Sequence, residues 1–113
     1  MNLLWLFSKS APDPSVIAHD ELARAVKARS VVVVDVREPN EYAGGHVPAA
    51  INPPLSRFDA QRLPQRKPLV FVCKSGARSA NALNKARAAG REDVRHYSGG
   101  AMGWQARGET IER

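Results

Sequence analysis

The ten residues LVFVCKSGAR, numbered 69–78, decide the fold of this 113-residue chain. The uninterrupted apolar run from Leu69 to Val72 is typical of a strand that is buried on both faces of a parallel sheet. It leads directly into a short polar loop that begins at Cys73. An alanine-rich segment with good helix propensity follows at residues 79–89, so the order strand, loop, helix predicts one unit of an α/β fold.

The same alternation continues on both sides of this unit. A second continuous run, Val31–Val34, predicts another buried strand, which ends near Asp35. Shorter strands are predicted at residues 16–17, 50–51 and 94–97, and further helices at 20–28, 38–43 and 99–107. The sequence therefore predicts an α/β fold with a mostly parallel sheet and helices on both faces.

The composition indicates one globular domain that needs no disulfide bond. Apolar residues make up 43% of the chain and charged residues 25%, at a length typical of a single domain. Cys73 is the only cysteine, so no internal disulfide and no multi-cysteine metal site can form. We predict neither a metal nor another cofactor, and we place the domain at residues 15–113.

Residues 1–14 are predicted to be an apolar N-terminal segment and a linker. The apolar run from Leu3 to Phe7 has no basic residue before it and is shorter than a secretory signal or a membrane-spanning helix requires. We therefore predict no transmembrane segment and a cytoplasmic location. Docking on the domain itself, a dimer contact and a contact with a partner or membrane surface all stay open for this run.

The positive charge of the chain is concentrated around Cys73. The net charge is +6, and residues 57–95 contain ten basic and three acidic residues, whereas residues 1–56 contain five and six. This distribution favours a site for a small anion, although a solvated basic surface would give the same counts. Nucleic-acid binding is not predicted, because the arginines are not interleaved with aromatic residues and no recognition motif is present.

Cys73 lies where α/β sheets bind ligands, between the carboxyl end of a strand and the start of a helix. Backbone N–H groups of the loop, the dipole of the next helix and the cations Lys74 and Arg78 all favour a thiolate. The pKa of Cys73 is therefore predicted to be depressed, which makes it a nucleophile near neutral pH. A buried core cysteine is the alternative, and the presence of Ser75 and Gly76 in the turn argues against it.

Four motifs in order carry a resemblance to a known family. They are DVREPNEY at residues 35–42, GHVPAAIN at 45–52, CKSGARS at 73–79, and Gly99-Gly100 with Trp104. Together they resemble a single-domain rhodanese, which is a thiosulfate sulfurtransferase-like protein, over residues 15–110. The resemblance implies a five-stranded, mostly parallel sheet with helices on both faces and a cysteine that cycles through a persulfide.

The resemblance also implies a reaction and its partners. The Cys73 thiolate takes the sulfane sulfur of thiosulfate or a similar small anionic donor, and the sulfur passes to an external thiol, cyanide or a protein acceptor. Because the chain has no second thiol to resolve a persulfide, we expect transfer to an outside acceptor and not an internal redox switch. A non-catalytic or relay module, which carries sulfur from a cysteine desulfurase to a biosynthetic partner, is the alternative.

Roles for individual residues follow from the same resemblance. Cys73 is expected to be the catalytic residue, with the persulfide and substrate pocket formed by Lys74, Ser75, Gly76, Ala77 and Arg78. Lys74 is expected to contact the anionic group of the donor, with a solvated surface lysine as the alternative. Arg78 either contacts substrate or holds the loop through an ion pair. Asp35 and Arg37 are expected to border the site, with a structural ion pair as the alternative. For His46, a structural role is favoured over a role as general base.

Cysteine phosphatases related to this fold are the nearest rival class of enzyme. Their loops carry five residues between the cysteine and the arginine, whereas only four separate Cys73 from Arg78 in this chain. The shorter ring is better suited to a single sulfur atom than to a tetrahedral phosphate. The chain also has no well-placed acid to protonate a leaving alcohol, so phosphatase activity is not predicted.

Overall fold

A computed structural model describes residues 13–113 of the chain. Its centre is a sheet of three parallel strands, β1 (Val32–Asp35), β2 (Leu69–Val72) and β3 (Val94–His96). The strands lie in the order β1–β2–β3, so the strand that precedes Cys73 is the middle one. All four residues of β2 are buried, which accounts for its continuous apolar run.

The α/β class is confirmed, but the expected count of five strands is wrong for residues 13–113. The two outer strands are reduced to isolated parallel bridges, Val16 with His96 and Ile51 with Val34. The chain contains Pro14 just before the first bridge and Pro53 just after the second. Since proline has no backbone N–H to donate, it limits how far either edge can extend its ladder of hydrogen bonds.

Helices cover both faces of the sheet, as the sequence predicts. They are α1 (His19–Ala28), α2 (Pro39–Ala43), α3 (Ala77–Ala88) and α4 (Gly100–Ala106), with short 3-10 turns at Leu55–Arg57 and Ala60–Arg62. On one face, Phe71 of β2 packs in a buried cluster with Leu83 of α3. On the other face, Val70 shares a cluster with Leu22 of α1 and Trp104 of α4. The side chains of β2 therefore alternate between two buried layers.

The predicted apolar run from Leu3 to Phe7 lies outside the described residues, as does most of the predicted linker. Over residues 13–113, no helix has both the length and the apolar character that crossing a membrane requires. The three strands point the same way, so the segments that follow them meet at one edge of the sheet. That edge contains Cys73, and it is the edge at which parallel α/β sheets bind ligands.

Candidate active site

The loop between β2 and α3 wraps its backbone around the sulfur of Cys73. Gly76 is the N-cap of α3 and has φ +113°, a conformation that strongly favours glycine. A Cβ atom at this position would lie 2.8 Å from the carbonyl oxygen of Ser98, so glycine also permits a close approach to the chain before α4. With this geometry, the N–H of Gly76 donates a hydrogen bond to the Sγ of Cys73 at 3.1 Å.

The surroundings of the thiol lower its pKa. Cys73 is only 1% exposed, and its Sγ lies 3.6 Å from the Oγ of Ser79 in the first turn of α3. Burial by itself raises the pKa of Cys73, but the Ser79 hydroxyl and the N–H groups of Ser79, Gly76 and Ser75 outweigh that effect and hold the pKa below its usual value. The predicted depression is confirmed, and hydrogen-bond donors of the loop and helix are its main cause.

The start of α4 supports the loop from the opposite side. The N–H of Ala101 donates to the carbonyl oxygen of Cys73 at 2.7 Å, and the N–H of Met102 donates to that of Lys74 at 3.1 Å. Gly100 has φ +65°, and a Cβ there would lie 2.2 Å from the Lys74 carbonyl oxygen. The second glycine of the Gly99-Gly100 motif is therefore required for the loop to pack against α4.

Arg37 and Arg78 are both engaged in ion pairs. Arg37 is buried, and its guanidinium reaches the carboxylate of Asp35 at 2.7 Å and the carbonyl oxygen of Gly45 at 2.8 Å. Arg78 donates to both carboxylate oxygens of Glu41, at 2.7 and 2.9 Å. This pairing with Arg78 lowers the pKa of Glu41 to about 2. In both cases the geometry matches the ion-pair alternative drawn from the sequence.

Lys74 differs from these arginines. Its side chain is exposed, and no ion pair of Lys74 is found within residues 13–113. It borders a cleft of about 440 Å³ whose lining is Arg37, Glu41, Lys74, Ala101, Met102 and Gln105. The cleft combines charged groups with an apolar surface, and Met102 is 56% exposed. Its size is within the range of small-molecule sites.

The structure thus brings the predicted residues to one edge but gives them different surroundings. Ser75 and Gly76 direct N–H groups at the sulfur, and Ala77 begins α3 with its side chain exposed. Lys74 and Arg37 reach the cleft, whereas Asp35 and Arg78 face their ion-pair partners. Among residues 13–113, no group of three or more His, Cys, Asp or Glu side chains could hold a metal ion.

His46 makes contacts of a structural kind. Its Nδ1 lies 2.9 Å from the carbonyl oxygen of Tyr42, and its ring stacks on the Tyr42 ring with centroids 3.7 Å apart. Its backbone forms an antiparallel bridge with Glu112. These contacts agree with the structural role that the sequence favours for this histidine.

Sequence reasoning assigned no role in the site to Ser79 or His96. The Oγ of Ser79 lies 3.0 Å from the Nδ1 of His96, which is the last residue of β3 and is buried. Ser79 comes directly after Arg78, and this place in the sequence is the feature that could have identified it as a residue of the site. His96 had no local signal, because its contact with α3 depends on how β3 is placed beside β2.

This combination defines an α/β protein with a buried, activated cysteine in the loop after its central strand. The rhodanese-like domain model matches residues 18–107, and the chain belongs to that family. Some of the proteins that this chain resembles are named thiosulfate sulfurtransferases.

Three relatives illustrate the similarity. An uncharacterised protein of Synechocystis is 42% identical over 94 residues, which are 81% of this chain and 52% of that protein. The thiosulfate sulfurtransferase GlpE of Pseudoalteromonas translucida is 34% identical over 87 residues, covering 74% of this chain and 82% of that one. A rhodanese-related protein from Thermoplasma volcanium has a crystal structure that matches with a TM-score of 0.77 and 29% identity, over 86% of this chain and 96% of that one. The chain therefore spans about half the length of the Synechocystis relative but most of the other two.

Proposed function

We propose that this protein transfers a sulfane sulfur from thiosulfate or a similar anionic donor to a thiophilic acceptor through a persulfide on Cys73. The observation that carries the proposal is the setting of the Cys73 sulfur, which accepts the Gly76 N–H at 3.1 Å and has a lowered pKa. A thiolate in such a cradle is a nucleophile. The similarity to a protein named thiosulfate sulfurtransferase supports the choice of donor.

In the first step, the Cys73 thiolate attacks the outer sulfur of thiosulfate. A new S–S bond forms between the Sγ and that sulfur, the original S–S bond of thiosulfate breaks, and its electron pair leaves with sulfite. The N–H groups of Ser75 and Gly76 already point at the Sγ, so they also lie close to the charge that the persulfide carries. Because these donors are backbone groups, they need little reorganisation during the reaction.

In the second step, a nucleophilic acceptor such as cyanide or a thiolate attacks the outer sulfur of the persulfide. The S–S bond to Cys73 breaks, its electron pair returns to the Sγ, and the thiolate forms again. The groups that lower the pKa of Cys73 therefore assist both steps, since the thiolate is first the nucleophile and then the leaving group. The chain has no other cysteine, so the acceptor comes from outside the chain.

Lys74 is proposed to bind the anionic end of the donor. It is an exposed cation, and it shares the cleft beside the loop with Arg37, whose own charge is balanced by Asp35. A strongly hydrated lysine on a flexible side chain can follow a small anion into the cleft. Arg78 is proposed to hold α2 against the loop through Glu41.

The direct test is to incubate the purified protein with thiosulfate and measure its intact mass. We expect the mass to increase by one sulfur atom, and the Cys73→Ser variant to show no increase. The absence of an adduct on the wild-type protein, or an adduct that persists in the variant, would overturn the proposed mechanism. Release of sulfite in equal amount to the adduct is the matched chemical readout.

A second measurement separates a stand-alone enzyme from a relay module. The protein is mixed with thiosulfate and cyanide, both in excess, and the thiocyanate formed is followed over repeated turnovers. We expect repeated turnover, because the cleft leaves room for a small acceptor beside the loop. Transfer that occurs only from a cysteine desulfurase, with no turnover on thiosulfate and cyanide, would instead favour the relay function.

A further inference from the structure

A buried row of side chains connects Cys73 to His96 on the neighbouring strand, β3. The Ser79 hydroxyl oxygen lies 3.6 Å from the Sγ of Cys73, 3.0 Å from the Nδ1 of His96 and 3.1 Å from the carbonyl oxygen of Gly76. Ser79 is completely buried, so water does not provide a further partner for its hydroxyl group. Three neighbours therefore compete for one hydroxyl group.

The proton on the Nδ1 of His96 determines how many acceptors compete for the hydrogen of the Ser79 hydroxyl group. Ser79 has one hydrogen to donate, and the Gly76 carbonyl oxygen can only accept. If the Nδ1 of His96 has no proton, it is a third acceptor and competes with the Cys73 thiolate for that hydrogen. If the Nδ1 carries a proton, it donates to the Ser79 oxygen and no longer competes for the Ser79 hydrogen. Of the two acceptors that remain, the charged thiolate attracts that hydrogen more strongly than the neutral Gly76 carbonyl oxygen does.

The backbone holds His96 in place for this contact. Its N–H donates to the carbonyl oxygen of Ser15, and its own carbonyl oxygen accepts the N–H of Ile17. Burial lowers the pKa of His96, with Arg87 on α3 acting in the same direction and Asp13 in the opposite one. Burial therefore favours the neutral imidazole, which carries a single proton. The Cys73 thiolate, two hydrogen bonds away through Ser79, favours the tautomer of His96 that has its proton on Nδ1.

We infer that His96 is a positioning residue, which donates from its Nδ1 to Ser79 and so turns the Ser79 hydroxyl hydrogen toward the sulfur of Cys73. The consequence for catalysis rests on the proposed sulfur transfer, because the oriented hydroxyl group stabilises the thiolate that begins and ends the cycle. His96 does not touch the reacting sulfur itself. It acts from the neighbouring strand through the side chain of Ser79 on α3.

The test measures the pKa of Cys73 directly, without any sulfur donor. The rate of alkylation by iodoacetamide is recorded against pH for the wild-type protein and for His96→Leu, His96→Asn and Ser79→Ala. We expect His96→Leu and Ser79→Ala each to raise the pKa of Cys73 by about half a unit to one unit, the size of one neutral hydrogen bond. The His96→Asn variant keeps an N–H donor near the position of Nδ1, so its pKa should stay close to that of the wild-type protein.

A double variant shows whether His96 acts through Ser79. In His96→Leu/Ser79→Ala, we expect the pKa of Cys73 to match that of Ser79→Ala alone, because the residue that transmits the effect is gone. An unchanged pKa in His96→Leu, a shift in His96→Asn as large as in His96→Leu, or fully additive shifts in the double variant would each overturn the inference. If His96→Leu does not fold, His96→Gln takes its place, since its amide extends beyond the Nδ1 position.

These results are independent of the proposed function. A wild-type protein that gains no sulfur from thiosulfate would refute the sulfur transfer, yet the alkylation profiles would still report on His96 and Ser79. Conversely, normal formation of the persulfide together with unchanged alkylation profiles in all variants would refute the role of His96 alone.

Discussion

The segments that follow β1 and β2 lie side by side at one edge of the sheet, and they use their polar groups in opposite ways. At the end of β1, Asp35 binds Arg37, two residues further along the chain, in a buried ion pair. After β2, backbone N–H groups turn toward the sulfur of Cys73, and the Lys74 side chain extends into solvent. A cation near a candidate site is therefore not always available to a substrate.

The difference has a simple physical origin. A buried guanidinium needs a partner, because removing a charge from water costs several kcal/mol that only close pairing offsets. A buried thiolate can instead be stabilised by several neutral N–H and O–H donors, which is how the loop holds Cys73. The segment after β1 is therefore organised for stability, whereas the loop after β2 is organised around a reactive atom.

The largest expected effect comes from breaking the ion pair after β1. Arg37→Leu should lower the free energy of unfolding by about 3–5 kcal/mol, because it leaves the Asp35 carboxylate buried without its partner. Urea denaturation at pH 7 measures this change. The double variant Asp35→Leu/Arg37→Leu is the control and should recover much of the loss, since no charge is left buried. A single variant as stable as the wild-type protein would show that the pair contributes little.

The next effect concerns the contact between the loop and α4. Gly100→Ala should lower stability through backbone strain of about 1–2 kcal/mol and through overlap with the Lys74 carbonyl oxygen, which adds about 1–3 kcal/mol. Gly108→Ala is the matched control, because Gly108 also has a positive φ but no atom lies within 4 Å of its added Cβ. Thermal unfolding compares the two variants. Equal losses would mean that the overlap relaxes without cost.

A smaller effect is expected from the half-buried pair that joins α2 to the loop. Because Arg78 lowers the pKa of Glu41 to about 2, the ionised pair contributes fully above pH 4.5 and its contribution is lost as the pH falls toward 2. Glu41→Gln should therefore cost about 1 kcal/mol at pH 7, a figure reduced by solvent screening, and almost nothing near pH 2. Urea denaturation at both pH values tests this, with the exposed Glu92→Gln as control. A loss independent of pH would refute the electrostatic explanation.

The smallest effect is expected from the exposed lysine in the loop after β2. Lys74→Ala should leave the stability unchanged and slow persulfide formation from thiosulfate about two- to five-fold, as expected for one exposed charge. The control is Lys85→Ala, since Lys85 is also exposed but lies on α3. This variant should leave both the stability and the rate of persulfide formation unchanged. Stopped-flow measurement of sulfite release compares them at low and high salt. Equal rates for the wild-type protein and Lys74→Ala would show that the backbone donors suffice.

The amino-acid sequence alone predicts the central strand, the loop and the helix that follows it, and with them the fold class and the candidate nucleophile. These features are local: a continuous apolar run predicts β2, and a glycine in a short loop predicts the turn at Gly76. The depressed pKa of Cys73 could also be predicted, since backbone N–H groups of the loop contribute to it. The number of strands could not, because each outer segment forms only an isolated bridge.

Which side chains meet depends on how the helices and strands pack. Arg78 pairs with Glu41 from α2, and the Ser79 hydroxyl group meets His96 from β3, although neither partner is near in sequence. The number of positive charges around Cys73 was readable from the chain, but the number left unpaired was not. Hydrogen bonds and ion pairs act over a few ångströms, so their partners are set by how strands and helices pack and not by the order of residues.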